Sequence, residues 1–421
     1  MPDPGLIVRA LETPAEIDVF FRLGIQSFAP EIPSEELAKR AEGWRDAVLR
    51  MPSYVPGQLR GAFLADGTFV GGCNVYERWM SFGPARLRTG CVNGVLTLPD
   101  YRHRGVGTAI MMEALSYAQS RGQALLLLDG IPGFYRRLGY ADVLDITEHA
   151  IAGQEILAQP PSPYSVRTAT PDDASAVLGL YRRHFGPYPG SFERSLEEQR
   201  GMIESRPPFN PIPLAVGEDG APRGYLLFDE MHRGAHAAEI TAEDWLAALA
   251  LLQHHARGVA SSSAPESELW WPLPPDSATL YDIAERLPVH SHTKINPDSD
   301  WMARPASLPA LFRSLLPLWH ERWARHAAPW AGVLALEVGN AEGAACALEL
   351  GPSSLKLVEF QPGQPHTVRL SPQAFTQLVF GYRSVSWAAR QAGQSVPAEL
   401  RPALEVLLPR VQAWIPGSDT F

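Results

Sequence analysis

The hydrophobic pattern changes period around Pro99. Residues Thr89–Pro99 read as a strand, and after a glycine-rich stretch Ile110, Met111, Ala114, Leu115 and Ala118 recur every three or four residues. That spacing predicts an amphipathic helix over Thr108–Arg121, stopped at Gly122. The short apolar run Ala124–Leu128 predicts a further strand. Strand, glycine-rich turn, helix and strand form the best-defined unit of the chain.

An internal echo organises the rest. Val8-Arg9, followed by Thr13-Pro14-Ala15-Glu16, recurs as Val166-Arg167 followed by Thr170-Pro171-Asp172-Asp173. Each reads as a strand end, a capping Thr, a first-turn Pro and first-turn acids. Ala62–Gly72 and Leu214–Gly224 each read as strand, turn and strand around a Gly preceded by Asp. The two echoes share a similar offset and predict two copies of one α+β domain, although such signals also occur in unrelated domains. Pro160–Pro163 reads as a linker, and a second junction falls near Asn296-Pro297-Asp298. Beyond it a helix (Leu308–Arg325), three strands (Gly332–Val338, Ala344–Leu350, Leu355–Phe360) and a helix begun by Ser371-Pro372 predict a third, α+β domain. The expected division is 1–160, 161–299 and 300–421.

Charge and cysteine usage narrow the function classes. With 36 Lys and Arg against 46 Asp and Glu, the net charge is -10, which argues against a nucleic-acid binder. The cysteines, Cys73, Cys91 and Cys346, form neither a disulfide framework nor a zinc motif. The start lacks a signal-peptide pattern, and apolar runs such as Leu125–Leu128 and Leu246–Leu252 are too short to span a bilayer. A cytoplasmic protein without a metal is expected.

The chemistry sits in Asp100-Tyr101-Arg102-His103-Arg104-Gly105-Val106-Gly107-Thr108. Glycines at the start of a helix let backbone N–H groups converge on an anion, the helix end adds partial positive charge, and Arg102 and Arg104 add full charges. A pyrophosphate is the fitting ligand. The same loose Arg-x-x-Gly-x-Gly/Ala pattern occurs at Arg136–Ala141, but no long amphipathic helix follows there.

This segment resembles motif A of the GNAT acetyltransferases, and Phe134-Tyr135-Arg136-Arg137-Leu138-Gly139-Tyr140 is similar to that family's Phe-Tyr-x-x-x-Gly-Tyr/Phe element. The resemblance implies an acetyl-CoA site at Val95, Leu96 and Thr97 (pantetheine strand), Arg102, His103, Arg104, Gly105, Val106, Gly107 and Thr108 (pyrophosphate loop), and Gly130 and Ile131. It implies Tyr135 as the acid for the departing thiolate. The whole chain resembles the Eis group of GNATs, which implies an active GNAT domain, a degenerate one and a sterol-carrier-protein-like C-terminal domain. Consistently, no Arg-x-x-Gly-x-Gly loop occurs between Val166 and Asn296. The segment Trp301–Pro309 resembles the group's route into its third domain. The group's terminal Phe carboxylate collects the amine proton, which would fall to Phe421, and the group is hexameric.

Two positions depart from the pattern: Pro132 stands where relatives often have Gly, and Thr420 where some aminoglycoside-acetylating relatives carry an acid. The latter argues against identical drug acceptors. The implied acceptor is a primary amine of a small cationic molecule, aminoglycoside- or polyamine-like, or a lysine side chain. A different class of function, a catalytically silent GNAT-fold protein with a lipid-binding third domain, is opposed by the intact loop, Tyr135 and Phe421. The pairs His254/His255, His290/His292 and His320/His326 lack ligand spacing, no Gly-x-Ser-x-Gly occurs, and Trp270, Trp271 and the tryptophans of Trp301–Trp330 read as core. Asp18, Glu31, Glu35 and Glu36 read as solvated helix faces that could wall an acceptor site.

Overall fold

The structure is a computed structural model that describes residues 5–206, 210–228, 235–260, 267–295, 298–327, 330–339 and 344–419. Phe421, Thr420 and the Asn296-Pro297 junction lie outside the described residues.

The first unit contains β1 (Ile7–Ala10), α1 (Pro14–Phe28), α2 (Ser34–Arg50), β2 (Leu59–Phe63), β3 (Phe69–Phe82), β4 (Ala85–Thr97), α3 (Val106–Ser120), β5 (Leu125–Gly130), β6 (Ala141–Asp142) and β7 (Ile146–Ala152). Thr13 starts α1 through a capping box: its hydroxyl accepts from Glu16 N at 3.2 Å while the Glu16 carboxylate accepts from Thr13 N at 3.3 Å. The hairpin expected over Ala62–Gly72 is β2–β3, with Gly67 in the left-handed region at φ 86°.

The second unit repeats this order: α4 (Gly153–Leu157), β8 (Ser165–Thr168), α5 (Ala174–His184), α6 (Leu196–Glu204), β9 (Pro213–Val216), β10 (Pro222–Phe228), β11 (Ala237–Ala242), α7 (Trp245–Ala260), β12 (Glu268–Trp271), α8 (Ala278–Ala284) and β13 (His290–Lys294). Thr170 and Asp173 form the matching capping box, and β9–β10 is the matching hairpin.

The two units exchange a strand. β14 (Asp300–Pro305) lies in the first sheet, whose order is β1-β2-β3-β4-β5-β14-β6. β7 leaves that sheet and sits between β12 and β13. A parallel bridge, His236↔Trp270, links β12 to the start of the β8–β11 sheet. The second unit thus follows the same order, with β7 where the first has β14. The expected boundary between 299 and 300 therefore falls inside the tandem unit: Asp300–Pro305 hydrogen-bonds to β5 and β6 rather than opening the third domain. Nothing local in Asp-Trp-Met-Ala-Arg-Pro specifies which sheet it joins.

The third unit holds α9 (Leu308–Arg325), β15 (Gly332–Val338), β16 (Ala344–Leu350), β17 (Leu355–Val358), β18 (Thr367–Leu370), α10 (Pro372–Val379), α11 (Val385–Ala388) and α12 (Arg401–Leu407). Its sheet order is β17-β16-β15-β18. The chain is an α+β protein. One face of the first sheet packs on α3 through Val75, Val92, Leu126 and Leu128. The opposite face is divided: α1 and α2 cover part of it through Phe20, Phe21 and Leu96. The third unit covers another part, where Tyr76, Leu87, Cys91 and Leu127 share a core with Phe312, Trp319 and Phe375. Trp271, Trp301, Trp319 and Trp323 are buried.

Candidate active site

β4 and β5 run parallel only from Thr89↔Leu125 to Val92↔Leu128, and then part. A bulge begins the parting, since Cys73 of β3 faces both Gly94 and Val95. Gly94 has φ 58°, and a Cβ there would lie 3.2 Å from Phe20 and Trp44. Only glycine meets both demands. Beyond Val92 the β5-facing edge of β4 pairs with no strand among the described residues, which leaves main chain along Val95, Leu96 and Thr97 to an extended ligand. The Leu96 side chain is buried in the α1–α2 core, so it can offer such a ligand only main chain.

β4 leads through the turn at Pro99–Tyr101 to α3. His103 (φ 61°) and Gly105 (φ 82°) are both left-handed, and Gly105 caps α3 without a side-chain bond. The first-turn N–H groups at Val106, Gly107 and Thr108 have no intrahelical acceptors, which leaves an anion cradle. Arg102, His103 and Arg104 are exposed beside it. Arg102 Nε donates to Thr97 O at 3.3 Å, which ties the loop to the strand end. α3 begins at Val106, two residues before the expected Thr108, so the glycine pair spans the helix start.

Asp298 holds the turn that carries Tyr135. Its carboxylate accepts from Gly133 N at 3.0 Å and Arg136 Nε at 2.8 Å, and Arg136 also pairs with the buried Asp142 at 2.6 Å. Phe134 packs against the loop, with a Cβ at Gly107 falling 3.1 Å from its ring. Tyr135 is buried on the α3 side, edge-on to Phe134 at 4.8 Å and to Tyr140 at 5.8 Å. Its hydroxyl makes no hydrogen bond among the described residues. Burial, then the nearby Cys73 and Asp129, push the phenol above its ordinary value, so it keeps its proton at neutral pH. Gly130 faces Asp300 with no room for a Cβ against Met302, and Ile131 is exposed.

A residue not anticipated from the sequence is Asp129, the first β5 position past the last β4 pair. Strand alternation turns it to the face opposite α3, in register with Trp301. It has solvent access but no cationic partner among the described residues. The enclosure around it, then Asp300, raise its carboxyl to about 6. Its signal in the sequence was slight: an Asp directly after the apolar run Leu125–Leu128. Of the acids considered from the sequence, Asp18 pairs with Arg45 and Glu36 with Arg40.

Among the described residues, the second unit has no such cradle. β11 ends two residues before α7, and Asp244 Oδ1 accepts from Ala247 N at 2.8 Å, so the chain's own carboxylate fills that helix start. Among the described residues, no group of three or more His, Cys, Asp or Glu is placed to hold a metal ion, and no helix is long and apolar enough to cross a membrane.

Residues 8–143 match the model of an acetyltransferase (GNAT) domain. No curated protein sequence matches the chain. Among solved structures, a GCN5-related N-acetyltransferase from Kribbella flavida is 19% identical, with 99% of this chain and 98% of that one covered at a TM-score of 0.71. A conserved protein from Enterococcus faecalis, described as a probable N-acyltransferase, is 17% identical over 99% of each chain, TM-score 0.75. Eis1 from Mycobacterium abscessus is 16% identical over 99% of this chain and 100% of its own, TM-score 0.63. An acyl-CoA donor goes with the GNAT family. Residues 8–143 thus form an acetyltransferase (GNAT) domain, and along its full length the chain is similar in fold to Eis1.

Proposed function

We propose that the protein transfers an acetyl group from acetyl-CoA to a primary amine of a small cationic molecule or a lysine side chain. The observation that carries this reading is the parting of β4 from β5 directly before a left-handed loop that opens α3. The free edge at Val95–Thr97 suits the amides of the pantetheine arm. The cradle at His103–Thr108 suits the pyrophosphate, with Arg102 and Arg104 beside it, and Gly130 and Ile131 lie past the opening.

In this reading the amine nitrogen attacks the thioester carbonyl carbon, the C–S bond breaks, and the thiolate takes the Tyr135 phenolic proton. The proton lost by nitrogen passes to a carboxylate. The Eis resemblance gives that role to the Phe421 terminal carboxylate, and Asp129, on the sheet face opposite α3 where β4 and β5 part, is a second candidate. Holding both reactants in the opening supplies much of the acceleration. The proposed division is three units in the order 1–160, 161–299 and 300–421, amended so that β14 (Asp300–Pro305) goes with the tandem units, where β14 and β7 hold matching places in the two sheets. Cytoplasmic location and a hexamer remain part of this proposal by resemblance.

The test is mass spectrometry of polyamines, aminoglycosides and lysine peptides incubated with protein and acetyl-CoA. An N-acetylated acceptor is expected from at least one class. Tight acetyl-CoA binding without any acetylated acceptor would favour the silent, ligand-holding alternative.

A further inference from the structure

Three neighbouring strands of the first sheet carry a polar residue at the same level, on the face opposite α3. On that face Tyr76, Cys91 and Leu127 belong to the core shared with the third unit, whereas Phe20 and Leu96 belong to the α1–α2 core. Between the two cores stand Asn74 of β3, Asn93 of β4 and Asp129 of β5. Each lies two residues from a member of the third-unit core, so strand alternation keeps it on the same face. Asn74 pairs with Asn93 in the ladder. Asn93 and Asp129 are the first residues past the last β4–β5 pair, Val92↔Leu128, and so stand opposite each other at the start of the opening.

The hydrogen bonds of this row are unevenly filled. Gln58 Oε1 accepts from Val55 N at 2.8 Å, which turns the Gln58 amide so that its Nε2 donates to Asn74 Oδ1 at 2.9 Å. The Asn74 oxygen is thereby used within the fold. Asn93 Oδ1 is enclosed yet has no hydrogen-bond partner among the described residues, and an oxygen so placed calls for a donor. Asp129 has no cationic partner among the described residues, and the neighbouring arginines are engaged elsewhere. Arg78 of β3 and Arg194 of the second unit both bind Asp419 of the third, at 2.9 and 3.0 Å. Arg136 binds Asp298 at 2.8 Å and Asp142 at 2.6 Å.

Two oxygen acceptors, one of them charged, opposite each other and without donors, fit a primary ammonium. Neighbouring strands lie about 4.8 Å apart. One ammonium nitrogen about 2.8 Å from each of two oxygens spans up to about 5.6 Å, and the start of a strand parting is of that order. The face matters as well. Tyr135 is buried on the α3 side, so a nitrogen held at Asn93 and Asp129 meets the thioester from the face opposite the phenol that serves the sulfur.

We propose that Asn93 and Asp129 form the seat of the acceptor's ammonium group, each accepting one of its N–H groups. This rests on the acetyltransferase reading given above and adds to it the side chains that recognise a primary amine. The Asp129 carboxyl, raised to about 6, is mostly ionised at neutral pH, and an approaching ammonium favours that form further.

The experiment is calorimetric titration of the full chain saturated with CoA, which allows binding without transfer. The titrants are spermidine, kanamycin and Nα-acetyl-lysine amide, and the one that the parent binds most tightly is carried through the variants. Asp129→Asn is expected to weaken it about 10- to 100-fold and Asn93→Leu about tenfold, the scale of a lost charge-assisted hydrogen bond. The exchange Asn93→Asp/Asp129→Asn restores one carboxylate and one amide in the opposite order, so it should recover most of the loss. A purely structural role would make the double variant worse than either single one. Asp172→Asn removes the same charge from a side chain that is 98% exposed. It should change nothing, which separates the seat from general attraction by a net charge of -10. CoA affinity should stay within twofold throughout. An affinity indifferent to Asp129, an exchange no better than Asp129→Asn, or a parent that binds none of the three amines overturns the proposal. Turnover of the same samples with acetyl-CoA keeps the two ideas apart. Seat-dependent binding with no acetylated product sinks the acetyltransferase reading and leaves the seat standing. Product formed while binding ignores both residues sinks the seat alone.

Discussion

Replacing Tyr135 by Phe should separate catalysis from folding cleanly, and the structure says why. The hydroxyl has no hydrogen-bond partner among the described residues, so its removal forfeits none of the roughly 1 kcal/mol that a typical internal hydrogen bond contributes. The edge-on contacts with Phe134 at 4.8 Å and Tyr140 at 5.8 Å belong to the ring and survive. The expected stability change is therefore within about 0.5 kcal/mol, in the range of a silent substitution. Turnover should behave differently. Loss of one positioned proton donor costs about 10²- to 10⁴-fold, and the phenol is well suited to that work because burial keeps it protonated through neutral pH. The assay is acceptor-dependent release of CoA thiol, beside thermal melting and acetyl-CoA titration of the same samples. Tyr140→Phe is the internal control: its hydroxyl is buried and has no hydrogen-bond partner among the described residues, so that variant should melt no lower and turn over at the parent's rate. A Tyr135→Phe protein as fast as the parent would refute the assignment. So would a rate loss that merely tracked lost cofactor affinity or lost fold.

Two further outcomes are expected. The Asp129 carboxyl is raised from 3.8 to about 6, so the folded state binds its proton more tightly than the unfolded state does. The resulting penalty is fully present above pH 6, shrinks as pH falls, and is gone below pH 3.8. Asp129→Asn should therefore raise the melting temperature at pH 8 and raise it less at pH 5; an equal or larger gain at pH 5 contradicts the shift. Extending the chain beyond Phe421 converts its carboxylate to an amide. That change should reduce turnover by about 100-fold or more, the scale for losing one base, with acetyl-CoA affinity and melting unchanged, whereas the same tag at the N-terminus should be silent.

Local features were legible in the sequence because they are decided within a few residues. Thr13 with Glu16 and Thr170 with Asp173 form the expected capping boxes, and Gly67 and Gly220 turn the two expected hairpins. The glycine loop before α3 was equally readable, since Gly105 and Gly107 stand between a strand and an amphipathic helix. What escaped was non-local. β14 joins the first sheet, 170 residues from its neighbour β5 at the Asp300↔Gly130 pair. The pairing depends on which edge is vacant once β7 has gone to the second sheet, and no pattern within Asp300–Pro305 records that. Asp129 and Asp419 escaped for a related reason. In sequence the first is an acid directly after an apolar run and the second an acid in a short polar stretch, and neither stands out. Only the parting of two strands gives the first its setting, and only the meeting of three units gives the second its two arginines.

The most direct measurement is a calorimetric titration of CoA into the parent protein and into Gly107→Val. The backbone at Gly107 is not left-handed, and an added Cβ meets the Phe134 ring at 3.1 Å and Thr97 Oγ1 at 3.5 Å. The side chain can thus be accommodated by a small shift of Phe134, while its methyl groups crowd the helix start. Losing one or two charge-assisted bonds from that start costs about 1.5–3 kcal/mol each, so affinity should drop by at least about tenfold with the melting transition still cooperative. Equal affinity of the two proteins for CoA would contradict the placement of the pyrophosphate at the start of α3.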